Sequence, residues 1–204
     1  MKTYADVMFT PAVRAQQDRD GTGESYARRY ASMDRSELGP DEADFLGSRT
    51  SIYMASVSET GWPYVQHRGG PAGFLKVLDS QSLGFADYRG NRQYISKGNL
   101  LNDNRVSLFA MDYTRKARLK LQGYATFQDA ADAPDLVAQL ATQGQGRVER
   151  VVTIQIETFD WNCPQFITPR FDAGEIAQLV APEMSRLETR IAELEAENAA
   201  LKGA

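Results

Sequence analysis

Polar and apolar positions divide the chain into three stretches. Residues 1–47 carry helical spacing broken by turn signals. Asp20-Gly21-Thr22-Gly23 reads as a loop, and Tyr26, Arg28, Arg29 and Tyr30 follow on a short helix. Gly39-Pro40-Asp41-Glu42 reads as a helix start. Proline in the first turn has no N–H to leave unpaired, and acids suit the positive end of a helix. Ala43, Phe45 and Leu46 supply its buried side and Gly47 its stop.

Residues 48–171 are strand-rich. Residues 51–57 are apolar with partial alternation, Glu59-Thr60-Gly61 is a tight turn, and 63–67 return as a strand. Runs 73–78 and 82–86 flank Asp79-Ser80-Gln81 as a second hairpin, and 106–113 with 119–127 form a further pair. A short helix is expected over 93–97, stopped by Gly98, and another over 132–143, capped by Asp132 with Pro134 in its first turn. In 148–159, Val152, Ile154 and Ile156 share one face, and Val151, Thr153 and Gln155 the other. Six or seven strands joined by hairpins predict a mainly β, antiparallel barrel with flanking helices.

Residues 172–204 read as a helix with heptads. Met184, Ile191 and Asn198 take a positions, and Leu187, Leu194 and Leu201 take d positions. In a parallel pair, Arg190 at g would face Glu195 at e of the partner, and Glu197 would face Lys202. The same pattern also suits an amphipathic helix packed on its own domain.

Composition narrows the chemistry. The 204 residues include one histidine, His67, and one cysteine, Cys163. No internal disulfide, two-cysteine two-histidine zinc site or HExxH helix can be built from one chain, so no metal site is expected. A lone thiol in Asp160-Trp161-Asn162-Cys163-Pro164 reads as buried rather than nucleophilic. The net charge of −4 argues against a generic nucleic-acid binder. No apolar run approaches the roughly 20 residues of a membrane span, and no signal peptide is read, so the cytoplasm is the expected location.

Two clusters could carry function. In the first, Trp62 to Lys76, a strand ends in Gln66, His67 and Arg68, and then Gly69, Gly70 and Gly73 let the backbone approach something flat or bulky. Gly-Gly-Pro is also an ordinary turn. The second is Asp87-Tyr88-Arg89-Gly90-Asn91-Arg92-Gln93-Tyr94. A strand, a glycine turn, an arginine and a helix start together suit a phosphate, and they also suit a hairpin loop with solvated arginines. No G-x-G-x-x-G follows a strand, and neither a P-loop nor a G-x-S-x-G elbow occurs.

These clusters resemble the pyridoxamine 5′-phosphate oxidase-like, FMN-binding split-barrel family, in its bacterial branch with a W-P-Y-x-Q-H-R-G-G-P-x-G-F segment. That segment is Trp62 to Phe74 here. Phe85-Ala86-Asp87, Gly90-Asn91-Arg92-Gln93-Tyr94, Gly98-Asn99-Leu100 and Asp160-Trp161-Asn162-Cys163-Pro164-Gln165 follow the same pattern.

The resemblance implies a six-stranded antiparallel split β-barrel, residues 48–171. An N-terminal helical segment, 1–47, and a C-terminal heptad helix, 172–204, would flank it. It also implies a homodimer with two FMN sites at its interface. The family's flavin contacts fall on Gln66, His67, Arg68, Gly69 and Lys76, and Gly70 beside Gly69 would offer the ring an N–H donor free of side-chain obstruction. Its phosphate and ribityl contacts fall on Asp87, Asn91, Arg92 and Gln93. Arg118 takes a further family position, and Trp161 of a partner would cover the ring.

The chain departs from true pyridoxamine phosphate oxidases. It has Asn91-Arg92-Gln93 in place of Ser-Arg-Lys and lacks their C-terminal substrate segment. The implied activity is therefore an FMN-dependent oxidoreductase that takes electrons from NADH, NADPH or a small-molecule substrate to oxygen or an organic acceptor. His67 or Arg68 would stabilise charge on the ring, or His67 would make a structural hydrogen bond. The alternatives are a non-catalytic, redox-sensing flavin dimer, or a barrel that binds deazaflavin or haem.

Overall fold

The computed structural model describes residues 3–31, 36–161 and 165–203. Cys163 lies outside the described residues. Four helices come first: α1 (Tyr4–Met8), α2 (Pro11–Arg19), α3 (Gly23–Ala31) and α4 (Pro40–Gly47). The loop expected at Asp20 is present between α2 and α3. At the start of α1, the Thr3 hydroxyl accepts from the Asp6 N–H and the Asp6 carboxylate accepts from the Thr3 N–H, so two otherwise unpaired donors are satisfied.

Seven strands follow: β1 (Ser51–Val57), β2 (Pro63–Gly69), β3 (Lys76–Asp79), β4 (Ser82–Tyr88), β5 (Arg105–Asp112), β6 (Ala117–Asp129) and β7 (Val148–Trp161). Helix α5 (Ile95–Asn102) sits between β4 and β5, and α6 (Pro134–Leu140) between β6 and β7. All pairings are antiparallel, in the order β2-β1-β5-β6-β7-β4-β3. This corrects the expectation of six strands in a barrel. The short β3 pairs only with β4, at the rim, and adds a seventh strand. The edge strands β2 and β3 do not pair with each other, so the ladder does not close.

Alternation places one face of the sheet in a common core. Ile52 and Met54 on β1, Leu108 on β5, Leu119 and Leu121 on β6 and Ile154 on β7 are buried there with Leu46 of α4. Each such side chain contributes roughly 1.5–3 kcal/mol by leaving water. Val151 faces the other way and is also buried, because Leu140 of α6 covers it. A third cluster joins Tyr4 of α1 to Tyr30 of α3 with Phe9 and Tyr26.

Helix α5 differs from its expected span. Gly98 does not end it, and it runs to Asn102. Two buried polar side chains hold it to the sheet: Ser96 donates to Gln66 Oε1 at 2.7 Å, and Asn99 donates to Ser56 Oγ at 3.0 Å. Those bonds offset the helix cost of glycine, about 1 kcal/mol.

The chain divides into two compact units, Met1–Asp112 with Ala117–Gln165, and Tyr113–Lys116 with Phe166–Ala204. The second contains α7 (Ala173–Gly203). The Thr114 hydroxyl lies 2.8 Å from Glu175 Oε1 and 3.1 Å from the Arg170 carbonyl oxygen, and its one proton is shared between these acceptors. Reciprocal bonds between Asp172 and Glu175 cap the helix start.

Candidate functional site

Strand β2 presents its residues alternately. Tyr64, Gln66 and Arg68 are half-buried on one side, while Val65 and His67 are exposed on the other. Arg68 points to β4, where its Nη1 lies 2.8 Å from Asp87 Oδ1. β2 and β4 stand five places apart in the sheet order. The sheet therefore curls until these two strands meet, and an ion pair spans the gap that the backbone ladder leaves open.

Asp87 holds a second cation. Arg150 lies opposite it in the β4–β7 ladder, and its Nε and Nη2 sit 2.9 and 2.8 Å from Asp87 Oδ2. The Arg150 guanidinium also lies 5.2 Å from the Tyr94 ring centroid. Burial works against its charge, but the hydrogen bond and the charge of Asp87 prevail and hold its pKa above the ordinary value.

A cavity of about 140 Å³ opens beside this clamp. Gln66, Arg68, Asp87, Asn91, Arg92 and Gln93, all singled out from the sequence, line it together. Four lining residues are cationic, namely Arg68, Arg92, Lys97 and Arg150, against one carboxylate, Asp87. The Nε of Arg68 is buried with no hydrogen-bond partner. Arg92 and Tyr94 both adopt left-handed backbone, with φ of 59° and 57°, and Tyr94 caps α5. Arg92 Nη2 lies 2.9 Å from Glu149 Oε1, and this hydrogen bond holds the Glu149 carboxyl below its usual range.

The remaining expected site residues lie elsewhere. His67 projects from the opposite face of β2, edge-on to Tyr53 with ring centroids 5.7 Å apart. His67 and Arg68 are thus separated by the pleat. The Gly70 N–H donates to the Thr50 carbonyl at 3.0 Å, so it is not free for a ligand. A Cβ on Gly70 would meet the Phe74 side chain at 2.6 Å, which gives that glycine a packing reason. Gly69, the last residue of β2, faces Ser51 in the ladder.

Lys76 donates to the Gln139 and Ala141 carbonyls at 2.6 and 3.4 Å, at the end of α6. Arg118 lies opposite Met111 in the β5–β6 ladder, with its Nε buried and unpartnered. Trp161 packs edge-on against Phe45 at 4.7 Å and donates to Glu42 Oε1 at 2.6 Å. Glu42 Oε2 accepts from the Gly39 N–H, so one carboxylate caps α4 and fixes the indole.

Arg150 and Lys97 are the lining cations that the sequence reading missed. For Arg150, parity with Val152, Ile154 and Ile156 was the available signal, because a charged residue on the core side of a strand requires a partner.

The outer face of the sheet is apolar for a solvent-facing surface. Tyr53, Val57, Val65 and Tyr124 are exposed there, and a groove of about 410 Å³ is lined by Ala55, Val57, Tyr124 and by Val7 and Met8 of α1. Among the described residues, no three His, Cys, Asp or Glu side chains gather as a metal would require. No helix among them is long and apolar enough to cross a membrane.

The family model for pyridoxamine 5′-phosphate oxidase matches residues 38–159. Comparison with curated proteins gives no match. Among solved structures, Group A Streptococcus HupZ is 13% identical with a TM-score of 0.51, the match covering 66% of this chain and 99% of that one. A candidate pyridoxamine 5′-phosphate oxidase from Lactobacillus delbrueckii is 21% identical with a TM-score of 0.50, over 63% of this chain and 97% of that one. At such identities the likeness is one of fold.

Proposed function

The chain belongs to the pyridoxamine 5′-phosphate oxidase family, and we propose on that footing that it is an FMN-dependent oxidoreductase working as a homodimer. The observation that carries this reading is the cationic cavity beside the Asp87 clamp. A phosphate monoester carries about −1.5 to −2 charge near neutral pH. Four lining cations against one carboxylate, with a buried Arg68 Nε still lacking an acceptor, suit such a group. Arg68, Arg92, Lys97 and Arg150 would hold the phosphate, and Gln66, Asn91 and Gln93 would supply polar contacts to the ribityl chain.

The cavity of about 140 Å³ is smaller than the ~300 Å³ at which cofactor sites begin. One chain therefore supplies part of a site, in keeping with sites shared across a dimer. The apolar outer face, with Tyr53, Val57 and Val65, supports burial against a second copy, because apolar patches of this kind mark contact surfaces. Bound FMN would supply the electron transfer between NADH, NADPH or a small-molecule substrate and oxygen or an organic acceptor. In this reading Arg68 serves the anion in the cavity, and His67 and Arg118 serve the opposite side of β2 and the β5–β6 region.

The test is the visible spectrum and extracted cofactor of the purified protein, followed by anaerobic addition of NADH or NADPH. The expected result is a flavin spectrum that bleaches and returns with air. Deazaflavin or haem in the extract, or no uptake of added FMN, would overturn the cofactor assignment. Flavin that neither nucleotide reduces would leave a binding dimer and defeat the nucleotide-driven enzyme.

A further inference from the structure

Helix α7 has no buried residue along its length. Met184, Leu187, Ile191 and Leu194 are 51%, 44%, 55% and 41% exposed, although their spacing gathers them into one stripe. A helix with one apolar stripe buries it against a neighbour. We propose that α7 pairs in parallel and in register with α7 of a second copy of this chain, over residues 184–201.

Three features select this occupant. The first is the seam itself, with Met184 and Ile191 at a and Leu187, Leu194 and Leu201 at d, a spacing of alternating three and four residues. The second is Asn198, at an a position. In a parallel pair it meets its own copy, and each amide both donates and accepts. An antiparallel pair over the same residues sets Asn198 against Leu187, which leaves the amide facing an apolar side chain.

The third is flanking charge. The parallel arrangement places Arg190 beside Glu195 and Glu197 beside Lys202 of the second copy. The antiparallel one sets two Glu188–Glu195 repulsions against two Arg190–Glu197 attractions, so it lacks the net gain of the parallel register.

The upstream limit of the seam is also legible. In the parallel register Glu183 faces Glu188, and the earlier seam positions are Ala173, Ala177 and Val180, two of them small. Arg186 neutralises Glu183 within its own helix, with Nη2 2.6 Å from Oε1. Pro182 falls at position f, directly away from the seam, where its missing N–H leaves the packing face intact. Fewer than three heptads are marginal alone, so any second contact between the same two copies strengthens the pairing by raising the local concentration of one helix near the other.

This inference is independent of the flavin assignment. Its test uses the full chain with Cys163→Ser and a single new cysteine, either Leu187→Cys on the seam or Thr189→Cys at the outward f position. After mild oxidation, Leu187→Cys is expected to run mostly as a covalent dimer of twice the chain mass, at several times the yield of Thr189→Cys. Equal yields at the two positions, whether high from collision or low from separation, would overturn the pairing. A Leu187→Cys protein that forms no covalent dimer while remaining dimeric on sizing would overturn the parallel register in particular. The cross-link is scored with or without bound FMN, so failure of the flavin reading leaves it interpretable.

Discussion

Arg68 and Asp87 lie on strands five places apart in the sheet, and their side chains meet at 2.8 Å. With Arg150 on the other carboxylate oxygen, Asp87 is the nearest counter-charge of two guanidinium groups that are mostly out of water, and Glu149, at 3.4 Å, is a longer second partner of Arg150. Asp87→Ala is expected to destabilise the protein by about 3–5 kcal/mol, the cost of leaving a buried pair half-made. Urea unfolding checks it through a lower midpoint at an unchanged slope. A wild-type midpoint would show that the curl of the sheet is held by its apolar core alone.

Arg92→Ala removes a charged donor from the cavity without touching the core. FMN affinity is expected to fall about 10- to 100-fold, read by quenching of flavin fluorescence on titration. Wild-type affinity would contradict the phosphate assignment.

The same substitution has a pH signature. The Arg92 hydrogen bond holds Glu149 below the ordinary carboxylate range, against the opposing effect of burial. A depressed folded value means that the pair adds stability above the unfolded carboxylate value of about 4.3. That contribution is lost as pH falls through the folded value. In Arg92→Ala the Glu149 carboxyl is expected to titrate nearer the ordinary range, as followed by NMR of the side-chain carboxyl carbon. An unchanged titration would mean that Arg89 and Arg150, 3.8 and 3.4 Å from the same carboxylate, suffice.

Gly123 sits where the β6–β7 register shifts, between Gln122 and Gly123. A Cβ there would lie 2.3 Å from the Gln155 carbonyl oxygen, which is backbone and cannot swing aside. Gly123→Ala is expected to cost about 1–3 kcal/mol, or several degrees of melting temperature at this chain length. Scanning calorimetry would decide it, and an unshifted melting temperature would show that the bulge absorbs a methyl group.

Much of the fold was legible because it is local. The alternation of Val152, Ile154 and Ile156, the proline and acid start of α4 and the two polar clusters each announce themselves within a few residues. What was harder to read depends on topology. Asp87 and Arg150 are 63 residues apart in the chain, and only the β4–β7 pairing makes them neighbours.

Other differences come from weighing local signals against the wrong competitor. His67 and Arg68 are both expected near the ring because the motif holds both, yet a period of two sends adjacent strand residues to opposite faces. Gly98 read as a stop because its propensity is poor, while buried bonds from Ser96 and Asn99 carry the helix past it. Lys76 read as a flavin contact, and its ammonium group meets carbonyls at the end of α6.

The left-handed backbone at Arg92 and Tyr94 sets stability against function. Each such non-glycine residue costs on the order of 1 kcal/mol or more, and glycine would adopt the same angles freely. Selection for heat resistance alone would therefore favour glycine at both positions, one of which carries a cavity cation and the other the aromatic face beneath Arg150. A variant thermostabilised at residue 92 or 94 is the one expected to have lost its ligand.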